Sequence, residues 1–355
     1  FAAATDASTD KVDVLVSFKG KLGPAEKALI PDAGGKIKRD YHIVPTIAAS
    51  IPKNKLDALR RNPKVTSVEE DTTVQIITGT PYQSIVPIST EAKTGQNKGR
   101  GVRVAVLDTG IDLAHPDLRV AGNVTFVDGT TNGDDDNGHG TMVAGVIAAL
   151  DNGAGVTGVA PEVELYSVKV VNQNGIALMS AILSGIEWAV DNNMQIINMS
   201  FGEFLNGPPA LITALEKAYQ AGIVLVAGAG NMGDQGIIFS PAIYEPVIAV
   251  GATDNNETRA SFSSTGQDLE LMAPGVDIQS AIRGGGYGSG SGTSFSAPYV
   301  AGVAALLIAS GVASNVEVRR LLQSTAQDLG PSGRDSWYGY GLVNALRAVA
   351  GVEAK

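Results

Sequence analysis

Three residues in this chain of 355 could together carry out nucleophilic catalysis. Asp108 follows the apolar run 104–107, His139 lies between two glycines, and Ser294 opens a long apolar stretch. A serine hydroxyl becomes a nucleophile when an imidazole takes its proton, and that imidazole needs a carboxylate to fix its tautomer. The three residues therefore predict acyl transfer, provided that the fold brings them together.

Each residue also has a more ordinary interpretation. The chain has three histidines; His42 lies in a strand-like stretch and His115 in a turn, so elimination leaves His139, whose flanking glycines allow close approach. Taken singly, a histidine is more often structural than catalytic. Asp108 would also suit an Asp-based phosphotransfer domain, and Ser294 a simple helix N-cap. In the functional interpretation, the amides of a helix N-terminus stabilise the oxyanion that forms when Ser294 attacks.

The glycine-rich run 284–288 invites interpretation as a phosphate-binding loop. No strand leads into it with the spacing GxGxxG, and no lysine follows it as in a P-loop. We therefore interpret the run as a flexible approach to Ser294.

Apolar strands alternate with helical patterns from Val102 onward. This alternation predicts an α/β fold, a doubly wound and mostly parallel sheet, with its site beyond the carboxyl ends of the strands. Asp108 stands at such an end. The predicted strands cover 102–107, 163–171, 195–199, 223–227 and 247–252, and the predicted helices cover 139–150, 178–190, 209–221 and 294–310.

A smaller unit precedes this domain. Its pattern is β-α-β-β-α-β, which predicts a small α+β domain of the split βαβ (ferredoxin-like) type. A unit of about 65 residues buries only a marginal core, so we expect its stability to depend on contacts with a partner. The predicted elements are strands over 12–18, two strands within 37–51 and a last strand over 65–75, with helices over 24–30 and 54–61. The predicted organisation is a tail (1–10), this unit (11–77), a linker and irregular lead-in (78–100), and the large domain (101–355).

Charge supports two units and excludes several classes of protein. The net charge is −10, from 26 Lys and Arg against 36 Asp and Glu; residues 1–77 have 12 against 10, and residues 78–355 have 14 against 26. Opposite signs favour docking, and an acidic balance argues against nucleic-acid binding. The absence of cysteine excludes disulfides, thiolate catalysis and Cys-ligated zinc. No apolar run is long enough to span a membrane, and the small polar tail is typical of what remains after a targeting segment is removed.

Three stretches resemble the signature blocks of subtilisin-like serine proteases: 104–110, 137–145 and 292–298. They occur in the order Asp, His, Ser that marks this family. The resemblance covers nearly the whole chain, because 11–77 resembles the family's propeptide and 338–345 its C-terminal block. It implies a secreted, monomeric serine endopeptidase that acts on polypeptides and is made as a self-processing proprotein. The propeptide would serve as intramolecular chaperone and inhibitor, and we expect cleavage between Ile76 and Gln83.

The resemblance also implies roles for individual residues. Asp108, His139 and Ser294 would form the triad, and Asn231 would stabilise the oxyanion. Small or apolar residues line the implied substrate cleft, so we predict that the residue before the scissile bond (P1) is Leu, Met, Phe or Tyr rather than Lys or Asp. Phe239 would reach the floor of the P1 pocket (S1). The implied cleft residues are Gly175, Ile176 and Ala177 on one edge strand, Ser200, Phe201 and Gly202 on the other, Ala227, Gly228 and Ala229 in the S1 pocket, Met232 at its rim, and Leu178 and Met179 at the pocket for P4.

A structural calcium site is implied as well. Calcium prefers about six to eight hard oxygen ligands, and we expect no organic or redox cofactor. The neighbouring run 134–136 is interpreted mainly as a solvated acidic loop. The implied ligands are the side chains of Asp117 and Asn152, the carbonyls of Leu150, Ala154 and Val156, and an oxygen of Gln83.

The chain departs from the family pattern at some positions. Met142 stands where a second histidine is usual, with little expected effect because it lies off the catalytic face of its helix. The lead-in from Gln83 to Asp108 is shortened. A catalytically silent subtilisin-like binding domain is the main alternative, although all four chemical positions are intact.

Overall fold

The computed structural model describes residues 10–77, 97–204 and 206–353. Gln83, and with it residues 78–96 of the expected linker and lead-in, lies outside these ranges. No helix in the described ranges combines the length and apolar composition needed to cross a bilayer.

The N-terminal unit is a four-stranded antiparallel sheet with two helices. The strands lie in the order β2-β3-β1-β4, which confirms the split βαβ prediction. Ten buried residues form its core, among them Leu59 and Ile30 from the helices and Val16 from the central strand. In chain order the elements are β1 (Lys11–Phe18), α1 (Pro24–Asp32), β2 (Lys36–Asp40), β3 (Thr46–Pro52), α2 (Leu56–Arg60) and β4 (Val65–Glu70).

A short strand, β5 (Thr73–Ile76), follows β4 but leaves its sheet. The sequence pattern predicted one strand through both. The chain instead turns at Asp71 and Thr72, and β5 pairs with two strands of the large domain. The prediction of a single strand was wrong because alternating apolar residues suit either sheet.

The large domain contains the remaining elements. They are β6 (Arg103–Asp108), β7 (Val120–Thr125), α3 (His139–Ala148), β8 (Glu164–Lys169), β9 (Ile176–Leu178), α4 (Met179–Asp191), β10 (Ile196–Met199), β11 (Phe201–Gly202), α5 (Pro209–Gln220), β12 (Val224–Gly228), β13 (Val247–Thr253), β14 (Leu271–Pro274), β15 (Ile278–Ile282), β16 (Gly286–Gly290), α6 (Thr293–Ala309), α7 (Asn315–Thr325) and α8 (Ala345–Glu353).

Seven parallel strands form the central sheet, in the order β14-β13-β12-β10-β6-β8-β7. One apolar cluster lies between the sheet and α3, α6, α7 and α8, and a second includes α4 and α5. The predicted α/β class, with a mostly parallel sheet covered by helices, is therefore confirmed. The order places β12, β10 and β6 side by side, so whatever follows their carboxyl ends must meet at one edge.

The glycine-rich run before Ser294 is more regular than predicted. Strands β15 and β16 form an antiparallel hairpin, with Ile282 paired to Gly286. Gly284 and Gly285 make the turn with φ angles of 95° and 85°, a region that glycine adopts without strain. The interpretation as a flexible approach was wrong, since the glycines serve a turn.

Candidate active site

Asp108 and His139 meet at the carboxyl edge of the sheet. Asp108 ends β6 and is fully buried, and His139 begins α3. The Nδ1 atom of His139 lies 2.8 Å from Asp108 Oδ1. A Cβ atom on Gly140 would lie 2.1 Å from the carbonyl oxygen of Gly110. Only glycine therefore allows the helix start to approach the end of β6 this closely.

Ser294 is the second residue of α6, and it is also buried. Its Oγ atom donates a hydrogen bond of 2.8 Å to the carbonyl oxygen of Ile77. The ring of Phe295 lies 6.0 Å from the His139 ring, centroid to centroid. The nucleophile candidate thus contacts the N-terminal unit, and the next residue packs beside the candidate base.

Asn231 follows β12 and faces the start of α6. Its Oδ1 accepts hydrogen bonds from the backbone N–H and the hydroxyl of Thr293, both at 3.1 Å. Within the described ranges, its Nδ2 is buried without a hydrogen-bond partner, and so are His139 Nε2 and Asp108 Oδ2. Buried polar atoms are normally satisfied. These unpaired atoms could form hydrogen bonds to a substrate or a reaction intermediate.

The surroundings of His139 favour the protonated, charged form of its imidazole. Burial lowers its pKa, whereas the charge and hydrogen bond of Asp108, and the charge of Asp135, raise it. The balance leaves the pKa above the ordinary value of 6.5. A base with this environment accepts a proton readily as a neighbouring hydroxyl is deprotonated.

The strand β5 lies between β9 and β11 as the middle strand of a three-stranded antiparallel sheet. Val74 pairs with Ala177, and the N–H of Ile76 donates to the carbonyl of Gly175 at 3.0 Å. On the other side the N–H of Ile77 donates to Ser200 O at 3.2 Å. An extended chain held on both sides by main-chain bonds is β-augmentation, a common mode of peptide recognition.

Two side chains of the segment 73–77 are buried. Val74 of β5 belongs to the same buried cluster as Ala177, Met179 and Phe201. Ile77, the residue after β5, is only 4% exposed, and its carbonyl oxygen accepts from Ser294 Oγ.

Phe239 lies close to Gly202, a predicted pocket residue, and to Gly230, which precedes Asn231. A Cβ atom on Gly202 would meet it at 3.0 Å, and one on Gly230 at 2.9 Å. Gly228 approaches Thr293 at 3.0 Å in the same way, and the N–H of Met232 donates to Ser264 Oγ at 3.2 Å. Ala227 and Ala229 are fully buried beside them. Of these residues, Gly202 pairs with β5, and the grouping of the others into a pocket at the end of β5 stays a prediction.

Hydrogen bonds connect four of the implied calcium ligands, Asp117, Leu150, Asn152 and Ala154; Gln83 lies outside the described residues. Asp117 is buried and its Oδ2 has no hydrogen-bond partner among the described residues. Its Oδ1 accepts from Asn152 Nδ2 at 2.8 Å, and its carbonyl accepts from the N–H of Leu150 at 3.0 Å. Asn152 Oδ1 accepts from the N–H of Ala154 at 2.9 Å. No cluster of three His, Asp or Glu side chains suited to a metal occurs in the described part of the chain.

Two features of the site were missed from the sequence. The run 134–136 is not a solvated loop, because Asp135 is 2% exposed and Asp136 pairs with the fully buried Lys169 at 2.6 Å. Met142 packs in one cluster with Phe295, whose ring lies beside His139; the small effect expected of Met142 stays a prediction. The polar run 133–138 carries no signal that Asp135 is buried, because its partners are backbone N–H groups and two threonine hydroxyls that only the fold brings together.

Comparisons with known proteins identify both domains. Residues 99–341 match the model of the Subtilase family, and residues 3–76 match Peptidase inhibitor I9. Subtilisin E of Bacillus subtilis (strain 168) is 44% identical over an alignment of 357 positions that covers 98% of this chain and 92% of that protein. The thermostable alkaline protease of Halalkalibacterium halodurans is 45% identical over 310 residues, 87% of this chain and 84% of that protein.

Subtilisin DY of Bacillus licheniformis is 51% identical over 255 residues, 71% of this chain and 92% of that protein. The match to the inhibitor model agrees with the separate sheet of the N-terminal unit, and the match to the protease model spans the whole parallel sheet. The chain belongs to the subtilase family and is a subtilisin-like serine endopeptidase that carries an I9 propeptide at its N-terminus.

Proposed function

We propose that this protease cuts peptide bonds through an acyl-enzyme on Ser294, with His139 as the proton carrier and Asp108 as its orienting partner. The observation that carries the proposal is the position of Ile77, whose carbonyl oxygen accepts from Ser294 Oγ at 2.8 Å. A peptide carbonyl beside a buried serine is the arrangement that acyl transfer requires.

Each step has a residue to perform it. The Oγ atom of Ser294 attacks the carbonyl carbon while His139 Nε2 takes the hydroxyl proton, and the protonated ring then gives that proton to the departing amine. Water, deprotonated by the same nitrogen, hydrolyses the acyl-enzyme. The oxyanion would be stabilised by Asn231 Nδ2 and the backbone N–H of Ser294. Removal of the equivalent asparagine donor in subtilisin lowers turnover about 10²–10³-fold.

The first substrate is the chain itself. With Ile77 as P1, the bond after Ile77 is the one cleaved during maturation, inside the expected interval from Ile76 to Gln83. Residues 11–77 would then remain bound as an inhibitor, because β5 keeps its main-chain bonds to both edge strands. The boundaries 1–10, 11–77, 78–100 and 101–355 belong to this proposal.

The proposed pocket for P1 is formed by small and apolar residues. Ser200–Gly202 and Ala227–Ala229 form its walls, Met232 its rim and Phe239 its floor. Burying an unpaired Lys or Asp there would be unfavourable, whereas apolar area gains about 25 cal/mol per Å². We therefore expect Leu, Met, Phe and Tyr to exceed Lys and Asp at P1, with Phe239 shifting the choice toward smaller residues. Met179 would line the pocket for P4, where Val74 lies.

A bound calcium ion is part of the proposal. The unpaired, buried Oδ2 of Asp117 fits a hard cation, joined by the carbonyls of Leu150, Ala154 and Val156. Asn152 would have to turn its amide to offer oxygen, since its Nδ2 faces Asp117. The ion would supply folding stability and no chemistry. A chelator should lower the melting temperature, and Asp117→Ala should remove most of that response.

Secretion and a monomeric state complete the proposal, on the strength of the family resemblance.

Labelling with a fluorophosphonate tests whether Ser294 is the nucleophile. The processed enzyme should be labelled at Ser294, Ser294→Ala should give an unlabelled and unprocessed chain, and the matched variant Ser296→Ala, two residues along the same buried helix, should be labelled and processed normally. Processing of pure Ser294→Ala would refute self-cleavage, and an unlabelled wild-type enzyme would favour a silent binding domain or a phosphotransfer site at Asp108.

A further inference from the structure

A second buried carboxylate lies beside the candidate triad. Asp135 stands in the loop between β7 and α3 and is 2% exposed. Its Oδ1 accepts from Thr109 Oγ1 at 2.8 Å and from the N–H groups of Asn137 and Gly138 at 3.0 and 2.9 Å. Its Oδ2 accepts from the N–H of Thr141 at 3.0 Å and from the Thr141 hydroxyl. Five donors and no acceptor suit an ionised carboxylate.

These bonds hold the start of the helix that carries His139. The N-cap of α3 is Gly138, with φ at 113° and no side chain to cap the helix. The first N–H groups of a helix need acceptors from elsewhere. Asp135 supplies them at Gly138 and Thr141, on either side of His139, and its negative charge lies at the end of the helix where anions are favoured.

The same carboxylate is tied to Asp108 through one residue. Thr109 Oγ1 donates to Asp135 and accepts from the N–H of Gly140 at 2.9 Å. The N–H of Thr109 donates to Asp108 Oδ1 at 2.7 Å. The end of β6 and the start of α3 are thereby connected by hydrogen bonds that pass through Asp135.

The charged groups around His139 come from several elements. Asp108 of β6 and Asp135 both raise the pKa of His139 against the effect of burial. Asp136 is neutralised by Lys169 of β8, whose Nζ also donates to the carbonyl of Thr109. From the β15–β16 hairpin, Arg283 faces Gly138, with its Cβ 3.9 Å from the place a glycine Cβ would take.

We propose that Asp135 is a positioning residue of the reaction: it sets His139 relative to Asp108 and its charge favours the imidazolium that forms when Ser294 loses its proton. This inference rests on the proposed roles of the triad. It assigns Asp135 two separable effects, one on geometry and one on charge, which different substitutions can distinguish.

The test compares four variants of the full chain after self-processing. Asp135→Asn removes the charge and replaces one acceptor oxygen by an NH2 group that faces donors, so kcat should fall about 10-fold to 100-fold with KM within about twofold. The acid limb of kcat/KM should move to lower pH by about half a unit or more, because removing a negative charge makes the imidazolium less stable. Asp134→Asn, an exposed carboxylate one residue earlier in the loop, is the matched control and should change neither quantity.

Two further variants separate charge from geometry and cover a failure of Asp135→Asn to fold. Asp135→Glu keeps the charge but displaces it, and Thr109→Val breaks the bridge while leaving Asp135 in place. Both should lower kcat with the acid limb unmoved. Wild-type kcat in Asp135→Asn, or a lowered kcat with an unmoved acid limb, would overturn the inference. Neither result affects the proposed function, which fails only if wild-type Ser294 is not labelled or Ser294→Ala keeps activity.

Discussion

The N-terminal unit contacts the protease domain through two unlike surfaces. The tail, β5 with Ile77, is held mainly by main-chain bonds to β9 and β11. The docking face, formed by Arg39–Ile43 with Asp71, is held by particular side chains. Tyr41 OH donates to Ser180 O at 2.7 Å, and Glu187 Oε1 accepts the N–H groups of His42 and Ile43 at 2.6 and 3.1 Å.

The two surfaces suit two different tasks: presenting a peptide bond for cleavage, and keeping the N-terminal unit bound after cleavage. Main-chain pairing accepts many sequences, so under the proposed function the tail would bind and be cut as a substrate is. Side-chain bonds from the docking face distinguish this unit from other peptides, since Arg39 also binds Ser184 and Asp128 and lies over the Phe126 ring. We infer that the tail governs whether cleavage occurs and that the docking face governs how long the cleaved unit stays.

The largest expected effect is at the end of the tail. Ile77→Asp should slow self-processing at least about 100-fold, because it buries an unpaired charge in an apolar pocket. Ile77→Leu is the control and should be processed within about threefold of wild type. The measurement is the appearance of the mature fragment by intact mass. Normal processing of Ile77→Asp would mean that Ile77 is not P1.

The pocket beneath the tail offers the next test. Phe239→Ala should raise kcat/KM for Phe and Tyr at P1 about tenfold relative to Val and Ile, since the floor would recede. The control Phe204→Ala removes a nearby ring that is 57% exposed and should leave the ratio unchanged. Peptides varied only at P1 provide the measurement, and an unaltered ratio in Phe239→Ala would remove this residue from the pocket.

A smaller effect is expected from the docking face. Glu187→Ala should leave cleavage unchanged but release the unit about five to ten times faster, because two backbone N–H groups lose a charged acceptor. The readout is the lag between cleavage and the appearance of activity. Glu216→Ala, an exposed carboxylate on the neighbouring helix α5, should keep the wild-type lag. Slower cleavage in Glu187→Ala would contradict the division between the two surfaces.

The smallest effect concerns pH. Burial raises the pKa of Asp71, against the hydrogen bonds from Ser180, one of which is 2.9 Å long. The protonated form is therefore favoured in the docked state. The stabilisation this provides is fully present below the ordinary carboxyl pKa of about 4 and is lost as pH rises through the raised value.

Melting of the uncleaved Ser294→Ala chain measures this effect. The reference protein is Ser294→Ala/Asp71→Asn. As pH rises through that window, the melting temperature of Ser294→Ala should fall by a degree or two relative to this reference. A shift of this size is on the order of that expected for a fraction of a kcal/mol. Parallel curves for the two proteins would show that Asp71 does not respond to pH in the docked state.

Much of the fold was predictable because its signals are local. Buried strands alternating with helices indicate a parallel sheet, and glycines around His139 and before Ser294 mark places where backbones come close. Strands β7 and β14 and helices α7 and α8 were missed. Strand β7 has a mixed pattern with Gly122 and Asn123, and α7 is polar on one face, so neither has the continuous apolar run of the central strands.

The sequence by itself determined the α/β class, the split βαβ unit and the residue types available for catalysis, since these depend on periodicity and short motifs. Tertiary structure alone decided that β5 leaves its own sheet, because the same alternation of Val74 and Ile76 with polar residues fits either edge. It also decided that Asp135 is buried. The five donors that make burial of that charge tolerable come from backbone and hydroxyl groups of Thr109, Asn137, Gly138 and Thr141, and only the folded chain brings them together.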